Sequence, residues 1–123
     1  MSDKTVLCIE DNPQNQLLVR RILSSRGYNV VEAYDGLAGW QLIQEMVPPL
    51  ILLDIDLPGI DGLEIIKRVR QNAAIKHIPV IALTASAMQG DRERFLAAGC
   101  DDYLSKPVNV MELLETVSRH YPV

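Results

Sequence analysis

Four apolar runs of this chain each end on polar groups that could take part in chemistry. The groups, in chain order, are Glu10 and Asp11, then Asp54, then Thr84, then Lys106. If these runs are parallel strands, their carboxyl ends share one edge of a sheet, where ligands bind in open α/β folds. Three acids, a hydroxyl and an amine would then meet in one crevice. This combination predicts a site for a divalent cation and a phosphoryl group.

The acids have the chemistry of a magnesium site. Like charges within a few ångströms raise one another's pKa and cost stability unless a cation neutralises them. Oxygen ligands alone, with positions left for water and phosphate, favour Mg²⁺ over zinc and softer metals. Thr84 then offers the phosphoryl group a hydrogen-bond donor, and Lys106 offers a point charge. A cis bond between Lys106 and Pro107 would direct the ammonium inward. A single acid such as Asp11 could merely cap a helix, so the prediction depends on all three.

Turn signals divide the chain into five strand–helix units. The predicted strands cover 4–9, 29–34, 50–53, 79–84 and 101–105. The predicted helices begin at Pro13, at Asp35-Gly36, near 62, near 88 and after Asn109. Short connections between such units require parallel strands joined by right-handed crossovers. The third and fourth runs do not alternate and are typical of central strands. With the second and fifth strands the most polar, we expect a flavodoxin-like doubly wound α/β fold, (βα)5, in strand order 2-1-3-4-5.

Two helices show apolar stripes at helical spacing. In the first helix, Leu18 and Ile22 are expected to lie on the buried face. In the last helix, the predicted stripe begins at Val110 and continues to Tyr121. Both stripes would cover the sheet that carries the polar groups.

The composition limits the class of protein. The 123 residues are enough for one domain, and 48% hydrophobic and 23% charged residues are ordinary for a globular chain. A formal charge of -4 argues against non-specific binding to nucleic acids and to anionic membranes. No apolar stretch approaches the roughly 18 residues of a membrane span, and no secretory signal is visible. We therefore expect a cytoplasmic protein in which Cys8 and Cys100 are buried thiols.

The order and spacing of these groups resemble the receiver domain of bacterial two-component response regulators (CheY-like), over essentially all of residues 1–123. The matching residues are the acidic pair Glu10-Asp11, the phospho-accepting Asp54, the hydroxyl of Thr84, Lys106 before a proline, and the switch aromatic Tyr103. Similar segments occur in receivers of hybrid sensor kinases and in stand-alone regulators, and the sequence leaves both origins open. Glu10 departs from the Asp of many relatives, and its longer side chain would reach a metal through water.

The resemblance implies a phosphorelay function. Asp54 would take a phosphoryl group from the phosphohistidine of a histidine kinase or a histidine phosphotransfer protein. The implied ligands of Mg²⁺ are Glu10, Asp11, Asp54 and the backbone carbonyl of Asp56. Thr84 and Tyr103 would switch a face that binds a downstream protein effector. Such a domain assists its own phosphorylation and dephosphorylation but is not a turnover enzyme. Asp56 and Ser86 would tune how water reaches the acyl phosphate.

Two other functions share part of the pattern. Asp54-Ile55-Asp56 resembles the nucleophile and general-acid pair of haloacid-dehalogenase-like aspartyl phosphatases, with Thr84 and Lys106 following in the same order. Against this alternative, the pair lies on the third run instead of the first, and no acidic pair follows Lys106. A flavodoxin should present glycines and hydroxyls to phosphate in its first strand–helix loop, whereas this loop presents two acids. We therefore favour the receiver.

Overall fold

The computed structural model describes residues 4–85 and 89–122, which form a parallel sheet with helices on both faces. The strands are β1 (Lys4–Ile9), β2 (Tyr28–Ala33), β3 (Ile51–Asp54), β4 (Val80–Thr84) and β5 (Asp102–Ser105). The helices are α1 (Pro13–Ser24), α2 (Gly36–Met46), α3 (Gly62–Gln71), α4 (Gln89–Ala98) and α5 (Val110–His120). The strand order β2-β1-β3-β4-β5 and the parallel pairing confirm the predicted fold. The start of the fourth helix predicted at 88 lies outside the described residues.

The central strands bury both faces, and successive residues enter different cores. Along β3, Leu53 joins the core beneath α2, α3 and α4, whereas Leu52 joins the core beneath α1 and α5. Phe95 of α4 is buried in the first core, and Val117 of α5 is buried in the second. Truncating any of these side chains to alanine would cost about 2–5 kcal/mol. The two cores therefore hold the strand ends, and whatever polar groups follow them, at fixed positions.

The link between β1 and α1 is fixed by an N-cap. The side chain of Asn12 accepts hydrogen bonds from the amides of Gln14 and Asn15 at 2.8 and 3.2 Å, and Pro13 occupies the first helical position. The start of the helix at Pro13 was predicted, and such a cap contributes about 1 kcal/mol to stability. Because the cap directly follows Asp11, the acidic pair has little freedom between the strand and the helix.

Some predicted details differ from the structure. Leu18 is 38% exposed because α1 turns its Gln16 face to the sheet instead. Val110 is 49% exposed, and the buried stripe of α5 begins one turn later. β2 begins and ends one residue earlier than predicted, because Tyr28 pairs with Lys4 at its start. Within the described ranges, no helix is long and apolar enough to cross a membrane.

Candidate functional site

The structure brings the three predicted acids together at the carboxyl edge of the sheet. Glu10 and Asp11 follow β1, and Asp54 is the last residue of the neighbouring β3. One carboxylate oxygen from each residue lies within 4.8 Å of the others. Glu10 and Asp54 are each only 1% exposed, whereas Asp11 is exposed. Two shielded acids thus share the site with a third that faces solvent, so ions can reach the cluster from that side.

Lys106 directly follows β5, and its side chain contacts two of the acids. Its Nζ lies 2.9 Å from Oδ2 of Asp54 and 3.0 Å from Oε1 of Glu10. Its backbone N–H donates to the carbonyl of Thr84 at 2.8 Å, and the Lys106–Pro107 bond is cis, as the sequence suggested. The ammonium therefore lies between two buried carboxylates that come from different strands.

The environment changes the proton affinities of two of these groups. Burial raises the pKa of Glu10, and the nearby Asp54 charge adds to this effect, while bonds from the Asn12 amide and the Lys106 ammonium lower it without cancelling it. Burial lowers the pKa of Lys106, but its hydrogen bonds to the two carboxylates outweigh this effect and the pKa is raised. Lys106 is therefore firmly protonated, and Glu10 holds its negative charge less easily than an exposed glutamate does.

Thr84 and Tyr103 lie on the same face of the sheet. Thr84 is buried at the end of β4 and pairs with Ser105, and Tyr103 pairs with Ala82. Because side chains alternate along a strand, positions 82 and 84 and their partners share one face. The Tyr103 ring is partly buried against the core beneath α4, and the guanidinium carbon of Arg92 lies 5.8 Å from its centroid. The predicted switch pair thus lies on the sheet face that α4 covers.

The loop after β3 is held close to Asp54. The amide of Asp56 donates to Oδ1 of Asp54 at 3.0 Å, while the Asp56 side chain is exposed. A Cβ at Gly62 would lie 2.7 Å from the backbone oxygen of Asp54, so only glycine allows α3 to begin this close to the site. The role of the Asp56 carbonyl as a ligand stays a prediction, and Ser86 lies outside the described residues.

One buried polar residue beside the acids was not predicted from the sequence. Gln16 is completely buried in α1, and its Nε2 lies within 3.2 Å of three backbone carbonyl oxygens, those of Cys8, Glu10 and Ala33. The available signal was its position. Gln16 lies at helical spacing from Val19 and Leu23, so it falls on the same buried face of α1.

Comparison with known proteins identifies the family of this chain. The family model described as the response regulator receiver domain matches residues 6–118. The chain belongs to this family. Receiver domains are signalling domains of two-component systems and not turnover enzymes, as the sequence predicted. The comparisons do not support the haloacid-dehalogenase alternative.

Relatives of this receiver domain align with it over nearly its whole length. The polar-differentiation response regulator DivK of Brucella abortus is 42% identical over 117 residues, which cover 95% of each chain. The receiver domain of a sensor histidine kinase from Pseudomonas aeruginosa is 38% identical, with a TM-score of 0.88 and coverage of 97% and 98%. That structure has a magnesium ion coordinated in its active site cleft. The chemotaxis protein CheY4 of Vibrio cholerae is 28% identical, with a TM-score of 0.89 and coverage of 97% and 99%.

Proposed function

We propose that this receiver domain carries a phosphoryl group on Asp54 and reports it to a protein partner. The main support for the proposal is that Asp54 lies beside two further acids and the Lys106 ammonium at one edge of the sheet. Asp54 ends a central strand and is buried, while the exposed Asp11 leaves the cluster open to solvent. This arrangement combines an oxygen nucleophile with groups that can neutralise a phosphoryl group.

The donor set fits Mg²⁺. The proposed ligands are Glu10 (through water), Asp11, Asp54 and the backbone carbonyl of Asp56. All of them are oxygens, which Mg²⁺ prefers. When the three carboxylates are ionised and the Lys106 ammonium is protonated, the net charge of the site is −2, which one divalent cation neutralises. The raised pKa of Glu10 supports this, because Glu10 carries its charge with difficulty when no cation is bound. When bound, Mg²⁺ supplies positive charge that stabilises the oxygens of a phosphoryl group in transfer.

Asp54 is the proposed nucleophile. A carboxylate oxygen forms a new P–O bond while the P–N bond of a partner's phosphohistidine breaks, and the bonding electrons leave with the histidine nitrogen. The amide of Asp56, 3.0 Å from Oδ1, keeps the carboxylate oriented for this step. Lys106 exchanges its contact with Oδ2 for a phosphoryl oxygen and holds it by charge. The catalytic contribution is positioning and electrostatics, which suits a loose transition state.

The proposed readout is a change in the face formed by α4, β5 and α5. The Thr84 hydroxyl bonds the phosphoryl group, and the Tyr103 ring moves toward the space beside Thr84. Support comes from their common sheet face and from a surface cavity of about 390 Å³ next to Tyr103. The cavity residues include Arg92 of α4, Tyr103 of β5, and Met111, Glu115 and Arg119 of α5. A ring movement there would alter both the shape and the charge that an effector meets.

The proposed partners are a sensor histidine kinase or a histidine phosphotransfer protein as donor, and a downstream protein effector as receiver of the signal. The proposed location is the cytoplasm. Cys8 and Cys100 are buried and unpaired, in agreement with the predicted thiols. Burial raises the pKa of the Cys100 thiol to about 12, so it is unreactive at neutral pH.

Acetyl phosphate with Mg²⁺ tests the proposal without a known kinase. We expect the unaltered chain to gain one phosphoryl group by intact mass, and Asp54→Asn to gain none. Asp35→Asn is the matched control, because asparagine also serves as an N-cap and the N-cap of α2 would be preserved. Stoichiometric labelling of Asp54→Asn would refute the assignment, and release of many phosphates per chain would indicate a phosphatase.

A further inference from the structure

The buried amide of Gln16 lies directly beneath the acidic pair. Its Nε2 lies 2.9 Å from the carbonyl oxygen of Cys8, 3.2 Å from that of Glu10 and 2.9 Å from that of Ala33. Cys8 and Glu10 lie at the end of β1, and Ala33 is the last residue of β2. Two amide hydrogens are thus shared among three acceptors from two strand ends. Gln16 ties α1 to both strands next to the site.

This arrangement leaves the other polar atom of the Gln16 amide without a partner. Among the side chains of residues 4–85 and 92–122, Oε1 of Gln16 is the one buried polar atom without a hydrogen-bond partner. Turning the amide over would place Oε1 against the three carbonyl oxygens, so the orientation is fixed. A buried acceptor without a partner costs free energy, so what this side chain contributes comes from the hydrogen bonds that Nε2 donates. The reason for a glutamine at this position is therefore what its nitrogen holds.

Gln16 holds the backbone of Glu10. The Glu10 carbonyl accepts from Nε2, and the Glu10 amide donates to the Ala33 carbonyl at 3.0 Å, an oxygen that Nε2 also contacts. Both backbone polar groups of Glu10 are thus fixed relative to β2 and α1. We propose that Gln16 is a positioning residue that sets the acidic pair in the geometry required for Mg²⁺ binding. This inference rests on the proposed Mg²⁺ site.

The variant Gln16→Met tests this role, because it keeps the length of the side chain and removes the donor. We expect the metal-free variant to fold but to unfold at a lower urea concentration than the unaltered chain, because three backbone carbonyl oxygens lose the Nε2 donor. Its Mg²⁺ dissociation constant, followed by amide chemical shifts, should rise about tenfold, as for other groups that orient metal ligands. Leu23→Met is the matched control, since Leu23 is fully buried two turns further along α1. The control should bind Mg²⁺ like the unaltered chain.

The outcomes distinguish this inference from the function on which it rests. Equal Mg²⁺ affinity in the unaltered chain and in a folded Gln16→Met would overturn the positioning role and leave the proposed function intact. Absence of Mg²⁺ binding in the unaltered chain would overturn both. Gln16→Leu removes the same donor with a different shape and should also bind Mg²⁺ more weakly. If neither variant folds, the amide serves the fold itself and the inference is wrong.

Discussion

The ammonium of Lys106 lies 2.9 Å from the carboxylate of Asp54, although 52 residues separate them in the chain. The contact exists because β3 and β5 lie on either side of β4, so their carboxyl ends share one edge. A second contact, 3.0 Å to Glu10, makes Lys106 the internal counter-charge of both buried acids. A cation that enters the site therefore takes over part of the neutralisation that Lys106 provides.

Lys106→Met should separate metal binding from phosphoryl transfer. Two buried carboxylates lose their counter-charge, so the metal-free chain should lose about 3 kcal/mol in urea unfolding. Mg²⁺ affinity should not fall, because the Lys106 ammonium is not a metal ligand and competes with the cation for the same carboxylates. Labelling by acetyl phosphate should slow about 100-fold, because a charge that stabilises the phosphoryl group is gone. Lys67→Met, an exposed lysine of α3, removes the same charge and should change neither property. Normal labelling of Lys106→Met would contradict the role.

Glu10 should make the stability of the metal-free chain depend on pH. Burial raises its pKa above the ordinary 4.5, so the folded chain binds this proton more tightly than the unfolded chain does. The resulting stabilisation is fully present below pH 4.5 and is lost as the pH rises through the raised pKa. With EDTA present to remove metal ions, the unfolding free energy of the unaltered chain should therefore fall relative to that of Glu10→Gln as the pH rises from acidic to neutral. A difference in unfolding free energy that stays constant over this range would contradict the expectation.

Much of this architecture could be predicted from local patterns. The apolar runs and the turn signals between them indicated the strands and helices, and the polar second and fifth strands indicated the sheet order. The acids, Thr84 and Lys106 could be placed together because parallel strands of known order bring their carboxyl ends to one edge. The strand order thus predicted that the three acids and Lys106 lie together.

Side-chain networks between elements could not be predicted in this way. Arg70 of α3 donates to the carbonyls of Lys76, Ile78 and Gly99, and its Nη2 lies 2.8 Å from Asp101, but these partners lie in separate loops. Leu18 looked like a core residue because hydrophobicity does not reveal how a helix is rotated on its sheet. Gln16 was not predicted to be buried, because a polar residue is ordinarily assigned to the exposed face of a helix.

Asp11→Asn and Asp56→Asn test the proposed metal ligands as a pair. Asp11 contributes a side-chain oxygen in the proposal, so Asp11→Asn should weaken Mg²⁺ binding at least about tenfold, because ligand charge sets affinity. Asp56 contributes only its backbone carbonyl, so Asp56→Asn should bind Mg²⁺ within about twofold of the unaltered chain. Both side chains are exposed, and neither change should lower stability much. Equal weakening by both variants would contradict the backbone assignment.

Tyr103→Ala should uncouple the readout from the chemistry. The ring lies outside the acid cluster, so labelling of Asp54 should proceed at the normal rate. The phosphorylation-dependent amide shifts of α4, β5 and α5 should shrink, because the ring whose movement links the site to this face is gone. Tyr34→Ala, an exposed tyrosine next to the opposite sheet edge, is the control and should leave those shifts intact. Full-sized shifts in Tyr103→Ala would rule out the ring as the link.

The central claim is that Asp54 itself carries the phosphoryl group, and borohydride trapping tests it most directly. Borohydride reduces an aspartyl phosphate to homoserine and so marks the residue that was phosphorylated. After treatment with acetyl phosphate and Mg²⁺, peptide mass spectrometry should find homoserine at position 54, and Asp54→Asn should contain none. Homoserine at position 11 or 56, or a phosphorylated chain without homoserine at position 54, would contradict the account.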